Sequence, residues 1–214
     1  MEVRAMNKCL LFDNDGTLVD SEYLCNVGLV LMFRRYGVEL DADELVIRFR
    51  GWKLASLLSI LEQENQLKIS QKFVKEYRKI VSELFDKELK PVEGVIDTLE
   101  ALEGPKAVVS SGPMHKIKQA LDVCGLTKYF GDNLFSSYDV GIWKPDPGIY
   151  LHAAKKMGYL PENCIVIDDG PVGVKAGFEA GMKTYFFNRF NEECDAEGVI
   201  SFRAMVDLPK LVGT

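Results

Sequence analysis

The sequence predicts an α/β fold, a doubly wound, Rossmann-like parallel sheet into which an all-helical segment is inserted. From residue 91 onward short apolar runs alternate with helical segments, which is how parallel strands buried on both faces read. Each apolar run stops abruptly at polar residues. Between residues 21 and 90 no strand pattern occurs. The expected division is a core formed by residues 1–19 and 91–214 and a helical domain over 20–90.

The elements follow in order. Lys8-Cys9-Leu10-Leu11-Phe12 reads as a buried strand that ends at Asp13. Over 21–36, Leu24, Val27, Leu31 and Phe33 recur at helical spacing, and Gly37 offers a stop. Helices are also expected over 41–49, 53–64 and 70–89. Leu54, Leu57, Leu58 and Leu61 form the apolar stripe of the second of these. After Pro91 the expected order is helix 95–102, strand 107–110, helix 115–124, strand 134–136 and helix 147–157. Strand 164–167, helix 172–180, strand 184–187 and a last helix near 203–211 complete it.

The 214 residues are 47% hydrophobic, enough for one substantial core with a small satellite. A net charge of −6, with acids and bases interspersed, excludes the basic runs that bind nucleic acid. The five cysteines (Cys9, Cys25, Cys124, Cys164, Cys194) are scattered among apolar neighbours without C-x-x-C spacing, so they read as reduced core thiols. Residues 1–8 are too short and polar for a signal peptide, and no apolar run reaches bilayer-spanning length. The expectation is a cytoplasmic protein with no membrane partner, monomeric, with a homodimer as the alternative.

Ligands of open parallel sheets bind beyond the carboxyl ends of the strands, so the polar residues that follow each apolar run carry the chemistry. Asp13-Asn14-Asp15-Gly16-Thr17 follows the first strand and Ser110-Ser111-Gly112 the second. Lys144 lies in Trp143-Lys144-Pro145-Asp146-Pro147 after the third, and Asp168-Asp169-Gly170 follows the fourth. Two acidic pairs, a serine and a lysine therefore converge on one edge. That set suits phosphoryl transfer: an attacking carboxylate needs local positive charge, which Lys144 and a hard cation such as Mg²⁺ would supply. Ser110 and backbone N–H groups would bind the oxygens of the transferring group, with Ser111 an alternative for the same role. Asp15, two residues beyond Asp13, is placed to protonate a leaving alcohol and later deprotonate water. Asn14, Ser111 and Gly112 are candidate substrate contacts. Taken singly, each motif has a bland reading: an Asx turn for Asp13, a strand end for Ser110, a surface loop for Lys144, a helix cap for Asp168.

At these residues the chain resembles the haloacid dehalogenase-like hydrolase superfamily. Phe12-Asp13-Asn14-Asp15-Gly16-Thr17-Leu18-Val19-Asp20 matches its first motif, Ser110 its second, Lys144 its third and Asp168-Asp169 its fourth. The helical segment after the first motif is similar to the family's helical cap. The resemblance implies a phosphatase in which Asp13 is the nucleophile and Asp15 the acid/base. Mg²⁺ would be held by Asp13, the Asp15 carbonyl and Asp169, with Asp168 acting directly or through water. In Arg48-Phe49-Arg50-Gly51-Trp52-Lys53, Arg50 and Lys53 are either solvated helix-end cations or contacts for the distal part of a phosphorylated ligand. The overall pattern looks most like the bacterial sugar-phosphate group, implying a small phosphorylated metabolite as substrate, a sugar phosphate or a sugar-acid phosphate such as 6-phosphogluconate.

Rivals on related scaffolds separate on single features. Dehalogenases of the family lack the second aspartate, so Asp15 counts against that activity. Receiver domains place the phospho-acceptor after their third strand and carry no cap. A sugar-phosphate mutase would share every core residue, but family mutases carry a histidine early in the first cap helix, where this chain has Cys25.

Overall fold

The computed structural model describes residues 8–50, 52–192 and 198–213. Residues 1–7, Gly51 and Cys194, on which sequence expectations bear, lie outside them. The chain forms two compact units, Met1–Val19 with Pro91–Thr214, and Asp20–Lys90.

The first unit is built on strand β1 (Cys9–Phe12), whose four residues are all buried. The second unit follows at once and is entirely helical: α1 (Glu22–Arg34), α2 (Ala42–Phe49), α3 (Leu54–Glu64) and α4 (Gln71–Glu88). Two of these helices begin on side chains that satisfy an otherwise orphaned N–H. Asp41 accepts from the Glu44 N–H at 2.9 Å and Ser70 from the Phe73 N–H at 3.3 Å. Phe33 on α1 meets Phe73 on α4 edge-to-face, with ring centroids 5.3 Å apart, and these two helices pack along their lengths.

The chain then returns to the sheet through α5 (Val95–Ala101), β2 (Lys106–Ser110), α6 (Met114–Val123) and α7 (Thr127–Phe130). Next come β3 (Leu134–Ser136), α8 (Ser137–Val140), α9 (Gly148–Met157), β4 (Cys164–Asp168) and α10 (Pro171–Glu179). Strands β5 (Lys183–Phe187) and β6 (Ile200–Phe202), a 3₁₀ turn Met205–Asp207 and α11 (Leu208–Val212) complete the unit.

The six strands lie in the order β3-β2-β1-β4-β5-β6, every neighbouring pair parallel. Side chains alternate across this sheet. Leu11, Val109 and Val166 face a cluster with Ile149 and Ala153 of α9 and Ala176 of α10. Phe12 points to the other face and meets Phe130 of α7 edge-to-face, centroids 6.0 Å apart. Each of the larger of these side chains, taken fully from water, contributes about 1.5–3 kcal/mol. The chain leaves β1 toward β2 and β3, then crosses back to β4, so strand order reverses beside β1. This switch point is where an open α/β sheet opens a crevice at its carboxyl edge.

The short elements β6, α7 and α8 escaped the sequence reading, and the start of the last helix moves by several residues. β6, α7 and α8 span only three or four residues each. The last helix starts at Leu208 rather than near 203, because Ile200–Phe202 is drawn into the sheet as its edge strand. Among the described residues no helix is long and apolar enough to cross a membrane. Cys9, Cys25, Cys124 and Cys164 are free thiols, and all but Cys25 are buried.

Candidate active site

The site is assembled at the carboxyl ends of β1, β2 and β4. Asp13 continues the ladder of β1, its N–H donating to the Ile167 carbonyl at 2.9 Å, so its backbone is held as rigidly as a strand residue. The chain then folds on itself. The Leu18 and Val19 N–H groups donate to the Asn14 carbonyl at 2.9 and 3.1 Å, and the Gly16 N–H donates to the Val19 carbonyl at 2.9 Å. Gly16 makes this turn at φ +83°, and a Cβ there would lie 2.2 Å from Asp169 Oδ2. A side chain at position 16 would fill the room of the Asp169 carboxylate.

Lys144 is the electrostatic centre. Its Nζ donates to Asp13 Oδ1 at 2.5 Å and to Asp168 Oδ2 at 2.7 Å, with 4% of its side chain exposed. Burial works against its charge, but Asp13 and Asp168 outweigh it and hold the ammonium well above the ordinary lysine range. Asp13 is pushed up to about 7, first by burial and then by the charges of Asp168 and Asp15, against the lowering pull of Lys144.

Asp168 accepts from three donors. Oδ2 accepts from Lys144 and from the Tyr150 hydroxyl, the latter at 2.7 Å, and Oδ1 accepts from the Gly170 N–H at 2.9 Å. Helix α10 begins directly over it: a Cβ on Gly173 would fall 1.8 Å from Asp168 Oδ2. Asp169 accepts on Oδ1 from Thr17 Oγ1 at 2.9 Å, which ties the fourth motif to the first across 152 positions of sequence.

Ser110 ends β2 almost fully buried, and its Oγ accepts from the Gly112 N–H at 3.0 Å. The Gly112 carbonyl accepts from Ser136 Oγ of β3 at 2.7 Å, and Ser111 lies half-buried between. Asp15 pairs through Oδ1 with Lys116 Nζ at 2.8 Å. Asn14 is fully buried, and neither polar atom of its side-chain amide finds a hydrogen-bond partner among the described residues.

Arg50 and Lys53 belong to the helical unit, at the C-terminal cap of α2 and the N-terminal cap of α3. Arg48 beside them is paired with Glu64, one bond being 3.0 Å, so a solvated ion pair accounts for that cation. Trp143 packs edge-to-face on Tyr138, and His152 on Phe135. Two residues at the site went unremarked in the sequence, Tyr150 and Lys116. Tyr150 sits on the apolar stripe of α9 and Lys116 one turn into α6, and nothing in their local pattern sets them apart from core or surface residues.

Asp13, Asp168 and Asp169 each offer a carboxylate oxygen, and these oxygens lie within 4.8 Å of one another. An all-oxygen, anionic, buried donor set is the kind that a hard divalent cation takes. The sheet order, the three strand-end motifs and the lysine between two carboxylates coincide with a match to the family model "haloacid dehalogenase-like hydrolase" over residues 7–181. The chain belongs to that family. The hydrolase is 39% identical to the 6-phosphogluconate phosphatase of Escherichia coli (strain K12), over 95% of this chain and 94% of that protein. It is similar in structure to a conserved haloacid dehalogenase-like protein from Agrobacterium tumefaciens, with a TM-score of 0.81, 26% identity and coverage of 96% and 97% of the two chains. A family hydrolase from Deinococcus radiodurans, solved with phosphate and sodium bound, gives a TM-score of 0.73 at 27% identity over 95% and 96%. In enzyme class the hydrolase is a phosphoric monoester hydrolase.

Proposed function

We propose that the hydrolase is a Mg²⁺-dependent phosphatase of small phosphorylated metabolites, acting on a sugar phosphate or sugar-acid phosphate such as 6-phosphogluconate through a phospho-aspartate on Asp13. The observation that carries this reading is the buried Lys144 ammonium held between Asp13 and Asp168, a fixed positive charge beside a carboxylate on rigid backbone. Similarity over 95% of the chain to a 6-phosphogluconate phosphatase supports the substrate class.

In this reading an Asp13 oxygen attacks phosphorus as the bond to the leaving alcohol breaks, and Asp15 gives that alcohol its proton. Asp15 then takes a proton from water, which attacks phosphorus and releases phosphate from Asp13. Lys144, Ser110 and the N–H groups of the 110–112 turn bind the oxygens of the transferring group. Asp13, the Asp15 carbonyl and Asp169 would hold Mg²⁺, while Asp168, engaged by three donors, acts through Lys144 or through water. When bound, the cation neutralises the phosphate's negative charge and orients it for in-line attack. Asn14 lies with its amide closed off from solvent, so a contact from it to substrate would come from its backbone. Arg50 or Lys53 is the cation proposed to meet the carboxylate of a sugar acid, a charge-assisted contact that discriminates against neutral sugars.

A panel of phosphorylated metabolites assayed for phosphate release, with Mg²⁺ and with EDTA, tests the reading. Phosphate release that needs the cation and favours 6-phosphogluconate supports it. Neutral hexose phosphates turned over as efficiently as 6-phosphogluconate would remove the sugar-acid specificity. An isomerised sugar phosphate without free phosphate would instead identify a mutase.

A further inference from the structure

We propose that Lys116 is a positioning residue for the acid/base Asp15. This rests on the phosphatase reading and adds to it a residue outside the four motifs. Asp15 leaves the motif turn with a carboxylate that must be aimed at the leaving oxygen in one half-reaction and at water in the other, and a carboxylate free to swing would spend much of its time misdirected. Lys116 Nζ holds Asp15 Oδ1 at 2.8 Å, with 24% of the lysine side chain and 21% of the aspartate side chain exposed, so the pair is partly buried rather than in open solvent.

The lysine is itself held in place. It is the third residue of α6, and its N–H donates to the Pro113 carbonyl at 3.0 Å, which continues the 110–112 turn into the helix. That turn is pinned at both ends, by the Gly112 N–H on Ser110 Oγ and by Ser136 Oγ on the Gly112 carbonyl. At Gly112 the three groups meet. A Cβ there would lie 3.3 Å from Ser110 Oγ, 3.6 Å from Asp15 Oδ2 and 3.7 Å from Lys116 Cδ. The turn that presents Ser110 to the phosphate thus also seats the lysine stem against the acid/base. Oδ1 is thereby anchored to the lysine.

The test compares kcat/KM of wild type and Lys116→Met for two esters assayed with Mg²⁺, an alkyl phosphate and p-nitrophenyl phosphate. The first needs a proton delivered to its leaving oxygen; nitrophenolate departs without one. Lys116→Met is expected to lower kcat/KM about 10- to 100-fold for the alkyl ester, a fraction of what a general acid supplies, and to leave the nitrophenyl ester within about 3-fold. Lys116→Arg should recover most of the alkyl activity. In an Asp15→Asn background the Lys116 effect should vanish, since there is no carboxylate left to aim. Equal losses on both esters, or a Lys116 effect that persists without Asp15, would overturn the inference alone. A wild-type chain inert toward both esters would overturn the phosphatase reading and this inference with it.

Discussion

The Tyr150 hydroxyl donates to Asp168 Oδ2 at 2.7 Å from a position fully enclosed in the core. Burial and the neighbouring Asp168 keep that hydroxyl protonated well above the usual tyrosine range, so it remains a donor at every pH of interest. The Lys144 ammonium lies 5.1 Å from the centre of the same ring. One side chain on α9 therefore supports both members of the Lys144–Asp168 pair. Tyr150→Phe keeps the ring and its packing but leaves a buried carboxylate oxygen one donor short. It should destabilise the fold by about 1–3 kcal/mol in urea titrations. kcat should fall about 10-fold with little change in KM, because the residue orients the site without touching substrate.

Removing Lys144 has a larger effect. Lys144→Met leaves Asp13 and Asp168 buried without their shared cation, an arrangement that costs about 3–5 kcal/mol. Activity should fall at least about 10³-fold, since both the phosphate-binding charge and the partner of the nucleophile are lost. Denaturant midpoints and steady-state rates on the same preparation separate the two losses. Wild-type turnover in this variant would exclude Lys144 from the mechanism.

Asp13 gives the metal-free protein a pH signature. Its carboxyl titrates at about 7 in the folded chain, against about 3.9 when unfolded. Between these values the folded state binds the extra proton, so this group's contribution to stability falls as pH rises from about 4 to about 7 and is flat above. Lys144, raised in the fold, keeps its contribution across the same range and loses it only in strong alkali. Asp13→Asn should therefore melt higher than wild type in EDTA at pH 7.5, and the difference should shrink toward pH 4. The same variant should show no turnover while still folding. Identical melting profiles for the two proteins across this range would contradict the burial argument.

Asn14 offers a test in the opposite direction. Its amide is buried without partners among the described residues, a situation that costs free energy and that an apolar side chain of similar size would relieve. Asn14→Leu should raise the melting temperature by about 2–4 °C for each kcal/mol gained. KM should stay within about 2-fold if the side chain is closed off from substrate. A large rise in KM would instead place the amide against the ligand.

Much of this was legible in the chain. Strands such as Cys9–Phe12 and Cys164–Asp168 are short, apolar and cut off by aspartate, because a strand buried on both faces admits nothing polar until it reaches the sheet edge. The residues after them had to share one edge once the strands were parallel, so Asp13, Ser110, Asp168 and Asp169 were expected together before any contact was known. The four long helices of the insertion announced themselves by periodicity over two or more turns. Not every short element did: the strand at 134–136 was read from the sequence, but β6 pairs with β5 as an edge strand, and Ile200-Ser201-Phe202 alone carries too little pattern to say so.

What only the tertiary structure decided is how the charges are divided. Lys144 was expected beside Asp13, yet that it is shared with Asp168, and that Asp169 takes Thr17, follows from side chains that meet across long stretches of sequence. Tyr150 and Lys116 entered for the same reason, since a core tyrosine and a surface lysine become site residues only when the sheet brings α9 under Asp168 and α6 over Asp15. Residue type and spacing determined where the polar groups would emerge, because burial and hydrogen-bond satisfaction act locally on the backbone. Which cation serves which carboxylate is a matter of ångströms between distant segments, and only the folded chain settles distances of that kind.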